Sequence, residues 1–239
     1  MGLTAKPTST IHRATLHRCI GAVAALFVFA CGDGTAPSTS APPPIDDGRP
    51  LSVAVRTHLL EHPENSSLNT FLSTTEVQVV FDGANAVWVQ ASINLTIESV
   101  VREQARDSEE FDRALRGEVG FTTGAVASVL PRTHVLPDGW NVFFVHDLGG
   151  FVLGIYVAEV PAVVCAELDR TGQRDLGGSV AHTLAHELGH SFGLFHAPCT
   201  PEGNLMAPGC SEGDRTRLTE SQIEVARAQV RYGRPYGVR

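Results

Sequence analysis

The pattern of apolar and polar residues predicts alternating strands and helices from residue 51 onward. LSVAVRTHLL at 51–60 alternates apolar and polar side chains and is rich in β-branched residues, which predicts a strand. Ser73 and Glu76 form a capping box, and the apolar positions that follow recur at helical spacing. A second strand is predicted at 93–101 and a short helix at 107–116.

The second half of the chain predicts three more strands and two more helices. Apolar runs at 140–148, 151–160 and 162–168 are typical of strands, and glycine and proline separate them. A polar loop follows, and then a helix is predicted over 179–191. A capping box that begins at Thr219 predicts a last helix. This order of elements indicates an α/β (α+β) fold.

Residues 1–30 have the layout of an export signal, with basic residues before a short apolar run and no acidic residue. The run is shorter than the roughly 20 residues that cross a bilayer as a helix, which disfavours a transmembrane anchor. The signal ends in VFACG, which resembles the lipobox of bacterial lipoproteins and would make Cys31 the lipidated residue. Cleavage by an ordinary signal peptidase after Ala30 fits the same residues. The expected location is therefore the outer surface of a bacterial membrane, or a secreted or periplasmic form if Cys31 is not lipidated.

The remaining chain divides into a linker and one domain. Residues 31–50 begin with the cysteine and continue as a mixture of Gly, Ser, Thr and Pro, which predicts a disordered linker. Residues 51–239 are predicted to form the folded domain, and a hydrophobic content of 43% in the 239 residues is enough for one core. The net charge of −8 argues against nucleic-acid binding. We expect a monomer that contacts membranes only through the N-terminal lipid.

The candidate chemistry is concentrated in the motif HELGHSFGLFH, which begins at His186. His186 and His190 lie four residues apart, so both imidazoles leave the same face of a helix and can bind one metal ion. Gly193 allows the positive φ with which helices end, and the resulting turn lets His196 supply a third nitrogen. Three protein ligands leave one tetrahedral position open for water, which is typical of catalytic zinc.

Glu187 projects about 100° around the helix from His186, where it can reach a water on the metal without binding the metal itself. His182 lies one turn before His186, but a span of about 12 Å separates it from His190 along a straight helix. His182 is therefore interpreted as a flanking residue.

The motif HExxHxxGxxH followed by a methionine-containing turn resembles the metzincin zinc endopeptidases. Met206 stands in GNLMAP, ten residues after His196, and is the only methionine besides Met1. The resemblance implies that Met206 forms an apolar floor beneath the ligands. It also implies a twisted mixed sheet with long helices in an upper lobe, and a small irregular lower lobe closed by a C-terminal helix. An edge strand within 151–160 would pair with an extended substrate, and 81–98 resembles the first helix and second strand of matrixin and reprolysin-like members.

The resemblance implies a zinc-dependent endopeptidase that acts on protein or peptide substrates. Zinc held by three histidines would activate a water, with Glu187 as general base. Ala197, directly after the third histidine, and Pro208, two residues after Met206, depart from the residues usual in particular subfamilies, so the subfamily stays open. Two alternatives remain: an inactive zinc-binding interaction lipoprotein, and a metal with a purely structural role. The intact Glu187 and the open ligand position favour the enzyme.

The cysteines and the acidic loop carry weaker signals. Cys165, Cys199 and Cys210 allow three disulfide pairings, and we favour Cys199 with Cys210 because they bracket a short loop with little apolar content. Cys165 lies in an apolar run and is expected to be a buried, inert thiol. Asp169 and Asp175 could belong to a calcium loop, but their spacing matches no EF-hand, so a solvated loop is expected.

Overall fold

The computed structural model describes residues 47–149, 152–209 and 215–238. The predicted signal at 1–30, Cys31 and the linker up to residue 46 lie outside these ranges. Within the described ranges, no helix is both long enough and apolar enough to cross a membrane.

Within the described residues, five strands form one mixed sheet: β1 (Leu51–Glu61), β2 (Ile93–Gln104), β3 (Trp140–Val145), β4 (Gly154–Val157) and β5 (Ala162–Ala166). Their order across the sheet is β2-β1-β3-β5-β4. The first four strands in this order are parallel to their neighbours, and β4 pairs antiparallel with β5 at the sheet edge. The expected α/β fold with a mixed sheet is confirmed. The edge strand expected within 151–160 is β4.

In the part of the chain that the structure describes, five α-helices accompany the sheet: α1 (Thr74–Trp88), α2 (Glu109–Leu115), α3 (Thr123–Val129), α4 (Ala181–Ser191) and α5 (Glu220–Tyr232). Short 3-10 helices occupy Ser66–Leu68 and Val89–Ala91, and a π-helical turn, Leu176–Val180, leads into α4. Both predicted capping boxes are present, at the starts of α1 and α5.

The sequence pattern did not predict α3. This helix has seven residues, too few to show a helical repeat of apolar positions, and it lacks the charged residues that mark the equally short α2. Its start is marked by Thr122, whose hydroxyl accepts a hydrogen bond from the Ala125 N–H. The described residues between α4 and α5 contain no helix or strand, in agreement with the expected irregular segment.

Apolar clusters cover both faces of the sheet, which explains why β3 is buried along its whole length. Val142 and Phe144 belong to the cluster that contains α1 and α4. Phe143 and Val145 belong to the cluster that contains α2 and α3. Successive side chains of a strand point to opposite faces, so a strand with helices on both sides has no polar face.

A close contact between α1 and α4 brings the motif helix against the core. A Cβ at Gly83 would lie 2.6 Å from the Cβ of Ala181 and 2.9 Å from the carbonyl oxygen of Gly177. The absence of a side chain at Gly83 therefore allows the two helices to approach. This contact positions the start of α4 above the sheet.

Candidate metal centre

Three imidazoles converge at the end of α4. The Nε2 atom of His196 lies 3.3 Å from Nε2 of His186 and 3.1 Å from Nε2 of His190. In a tetrahedral site with zinc–nitrogen bonds of 2.0–2.1 Å, ligand nitrogens are about 3.3 Å apart. Among the residues that the structure describes, these three histidines are the only group of three or more His, Cys, Asp or Glu close enough to hold a metal ion. The observed separations fit zinc.

Main-chain carbonyls determine which nitrogen of each helical histidine faces the cluster. His186 Nδ1 lies 2.7 Å from the Leu205 carbonyl oxygen, and His190 Nδ1 lies 2.8 Å from that of Leu194. A carbonyl can only accept, so each Nδ1 carries the proton and each Nε2 presents a lone pair. A metal cation stabilises such a group of converging lone pairs, and carbonyl partners of this kind orient metal-bound histidines.

Burial keeps both helical histidines neutral. Removal from water lowers the pKa of His186 to about 3, with a further contribution from the neighbouring His190. Removal from water also lowers the pKa of His190 to about 4. The pKa of His196 is lowered by the same cause. Neutral imidazole is the form that binds metal ions, so the site is ready for a metal at neutral pH.

Gly193 makes the turn that returns the chain to the cluster. Its φ is +82°, a conformation that favours glycine. The Gly193 N–H donates to the His190 carbonyl at 3.0 Å, and the Leu194 N–H donates to the Gly189 carbonyl at 2.9 Å. These bonds end α4 and direct the following residues toward His196.

Met206 is fully buried and packs directly against α4. A Cβ at Gly189 would lie 2.5 Å from the Met206 Sδ atom, so only glycine leaves room for this side chain. The Met206 carbonyl accepts a hydrogen bond from the Ala197 N–H at 2.8 Å, next to the third histidine. Sequence reasoning singled out Met206 but not Gly189, whose position between two ligand candidates was the available signal.

An amide pair anchors the turn around Met206 to α5. The Asn204 side chain donates to Gln222 Oε1 at 2.9 Å, and its Oδ1 accepts from Gln222 Nε2 at 3.1 Å. The same Oδ1 accepts from the Met206 N–H at 2.8 Å. Sequence analysis missed Asn204, because its partner lies 18 residues away and no local pattern marks the pair.

Glu187 lies between α4 and the edge strand β4 and is only 8% exposed. Burial raises its pKa to about 8, and a hydrogen bond from the Tyr156 main chain partly offsets this rise. A Cβ at Gly154 would lie 2.7 Å from the Glu187 Cγ atom. The Glu187 side chain is thus surrounded by protein and contacts β4. Its position on the helix, which was all that the sequence indicated, did not predict this contact.

The register of β4 follows from its pairing with β5. The Ala166 N–H donates to the Leu153 carbonyl at 2.8 Å, and Gly154 and Tyr156 pair with Cys165 and Val163. Main-chain groups of successive residues in an antiparallel pair alternate between pointing toward and away from the partner. Those of Gly154 and Tyr156 therefore point away from β5, toward the free edge. The sequence alone could not place this register.

The other histidine on α4 has a different role. His182 Nε2 lies 3.0 Å from the carbonyl oxygen of Arg215, and His182 is outside the three-histidine group. This placement agrees with its interpretation as a flanking residue.

The structure also shows the surroundings of two cysteines and of the two aspartates in the acidic loop. Cys165 is a free, buried thiol. Cys199 is disulfide-bonded, but Cys210 lies outside the described residues, so their pairing stays a prediction. Asp169 accepts bonds from the main chain and hydroxyl of its own loop, and Asp175 accepts from the Ser179 N–H at the start of the π-helical turn. Each carboxylate therefore holds the main chain of its own loop.

No known protein-family model matches the sequence, and no curated protein matches it. Among solved structures, the chain is similar to mirolysin in complex with compound 9, with a TM-score of 0.47 and 14% sequence identity. The similarity covers 75% of this chain and 91% of the mirolysin chain.

Proposed function

We propose that this protein is a zinc-dependent endopeptidase. One arrangement carries the proposal: the Nε2 atom of His196 lies 3.1 and 3.3 Å from those of His190 and His186. The buried carboxyl group of Glu187 follows directly after His186 on the same helix. His186, His190 and His196 would hold the ion. When bound, zinc would act as a Lewis acid: it polarises a peptide carbonyl and lowers the pKa of water, which can then attack as a nucleophile near neutral pH.

The edge strand supports a peptide as the substrate. The outward N–H and carbonyl of Gly154 and the outward carbonyl of Tyr156 can hydrogen-bond to an extended chain laid along β4, while the Tyr156 N–H donates to Glu187. Such a chain would lie next to Glu187, because Gly154 contacts that side chain. Main-chain pairing accepts many sequences, which suits an enzyme that cleaves unfolded protein.

Glu187 is proposed to act as general base and then as general acid. It would take a proton from the attacking water and return it to the leaving amine. In the metal-free protein burial raises the pKa of Glu187 to about 8, and a bound zinc cation would favour the ionised form that accepts the proton. The surrounding protein excludes bulk water from this exchange.

The test is cleavage of an unfolded protein by the purified domain, with and without a zinc chelator. We expect the chelator to abolish cleavage, and Glu187→Gln to bind zinc normally while it loses at least about 100-fold in kcat, the usual contribution of a general base. Asp169→Asn, in the solvated loop, is the matched control and should cleave normally. An unmodified domain that binds zinc and cleaves no protein would instead support the inactive zinc-binding alternative.

We further propose that the protein is exported and anchored by a lipid on Cys31. The support is the sequence of residues 1–31 alone. Mass spectrometry of the N-terminal peptide from native membranes tests this: a diacylglyceryl group on Cys31 is expected. A free N-terminus at an unmodified Cys31 would indicate the secreted or periplasmic form.

A further inference from the structure

The segment that follows α5, residues 233–238, returns to the candidate site; we call it the strap. Gly233 ends α5 with a φ of +82°. Three residues later, the Tyr236 N–H donates to the carbonyl of Ser191, the last residue of α4, at 2.8 Å. The strap therefore satisfies a main-chain acceptor at the end of the motif helix.

The strap also contacts the edge strand. The Tyr156 hydroxyl donates to the Tyr236 carbonyl at 2.6 Å. Burial raises the pKa of Tyr156, so its hydroxyl stays protonated and remains a donor across the physiological range. Beyond it, Gly237 lies so close that a Cβ there would be 3.2 Å from the Cβ of Ala158, just after β4.

The ring of Tyr236 contacts the loop that carries the third histidine. A Cβ at Gly193 would lie 3.3 Å from the Tyr236 Cδ2 atom. The ring also stands edge-on to Phe195, with centroids 5.9 Å apart and an interplanar angle of 85°. Phe195 directly precedes His196 and is 70% exposed, so the edge-on contact with Tyr236 helps to hold its ring in place.

We infer that Tyr236 is a positioning residue that couples β4 to the loop of residues 193–196 through the strap. The inference rests on the proposed peptidase function. A peptide held by β4 is cleaved only if its scissile bond reaches the histidine cluster. A displacement of that bond by about 1 Å strongly lowers the rate of cleavage. The pairing with β5 holds β4 on one side only. Through Tyr236, the strap ties that strand to the neighbour of the third histidine.

Two variants separate the two halves of this coupling. Tyr156→Phe removes only the hydroxyl that reaches the strap, and Tyr236→Ala removes only the ring beside Gly193 and Phe195. Tyr236→Phe keeps the ring and the main chain and should restore the behaviour of the unmodified protein. Tyr232→Phe and Tyr232→Ala are matched controls for a loss of contact elsewhere on the strap, because Tyr232 lies at the end of α5 and its hydroxyl and ring contact Arg234.

The readouts are KM and kcat on one peptide, and the visible absorption spectrum of the domain loaded with Co²⁺. For Tyr156→Phe we expect KM to rise about fivefold with kcat nearly unchanged, because one partly buried hydrogen bond that orients β4 is lost. For Tyr236→Ala we expect the same rise in KM and also a changed Co²⁺ spectrum, because the loop before His196 loses its support.

The inference is overturned if both variants keep the KM and the Co²⁺ spectrum of the unmodified protein, even if their melting temperatures fall. If Tyr236→Ala does not fold, Tyr236→Leu keeps an apolar side chain and gives the same comparison. A failure of the proposed function is distinguishable, because the unmodified domain would then cleave no peptide. In that case a Co²⁺ spectrum altered in Tyr236→Ala, but not in Tyr232→Ala, still supports the coupling.

Discussion

Replacing Gly189 by alanine tests whether the packing of Met206 against α4 organises the metal centre. The new Cβ would lie 2.5 Å from the Met206 Sδ atom and 3.1 Å from its Cε atom, so the methionine must move. Overpacking of this kind costs about 1–3 kcal/mol. Alanine in place of helical glycine returns about 1 kcal/mol, so the net loss of unfolding free energy should be about 0–2 kcal/mol.

Gly124→Ala is the matched control that isolates the steric cost. Gly124 lies in α3, and a Cβ there would meet only ordinary contacts, at 3.6 Å from Thr122 Oγ1 and 3.8 Å from Glu110 Oε1. Urea unfolding of the metal-free domain measures both variants. Gly124→Ala should be neutral or slightly stabilising, so the difference between the variants should be about 1–3 kcal/mol.

The same substitution should weaken zinc binding. Displacement of Met206 shifts the adjacent Leu205 carbonyl, which orients His186. Loss of such an outer partner typically costs 10- to 100-fold in metal affinity, measurable by competition with a chromophoric chelator. In a Met206→Ala background the clash is absent, so adding Gly189→Ala should lower neither the stability nor the zinc affinity any further. The reasoning is refuted if Gly189→Ala matches Gly124→Ala in both stability and zinc affinity.

Two further predictions concern Glu187. Gly154→Ala should lower kcat at least tenfold while zinc affinity is retained, because its Cβ would lie 2.7 Å from the Glu187 Cγ atom; Gly120→Ala, which meets nothing within 4 Å, is the control, and equal activity of the two variants would contradict the prediction. In the metal-free domain, the pKa of about 8 for Glu187 means that the folded state binds more protons than the unfolded state between pH 4.5 and 8. The stability from this group is therefore present below pH 4.5 and is lost as the pH rises through 8. His186 and His190 act in the opposite sense, since their low pKa values make stability fall as the pH drops from 6.5 toward 4. Urea unfolding across pH should show that Glu187→Gln lacks the loss of stability between pH 4.5 and 8, and a parallel profile for both proteins would contradict the assignment.

Element order could be predicted from sequence because its signals are local. The capping boxes at Ser73 and Thr219 and the alternation in β1 involve residues within a few positions of each other. The approach of His186 and His190 on one helix face is local in the same way. The helix α3 escaped prediction because seven residues carry little periodicity and none of them is charged, whereas charged residues mark the equally short α2.

What the sequence by itself determined is thus the set of strands and helices and the histidine motif, since both depend on spacing along the chain. Only the tertiary structure decided the surroundings of that motif. The contact of Glu187 with β4, the Asn204–Gln222 pair and the bond from Tyr156 to Tyr236 join residues between 18 and 80 positions apart. Burial, and with it the pKa of Glu187, depends on which distant segments pack together. No local pattern of residues encodes such contacts, so they become visible only when the whole chain is folded.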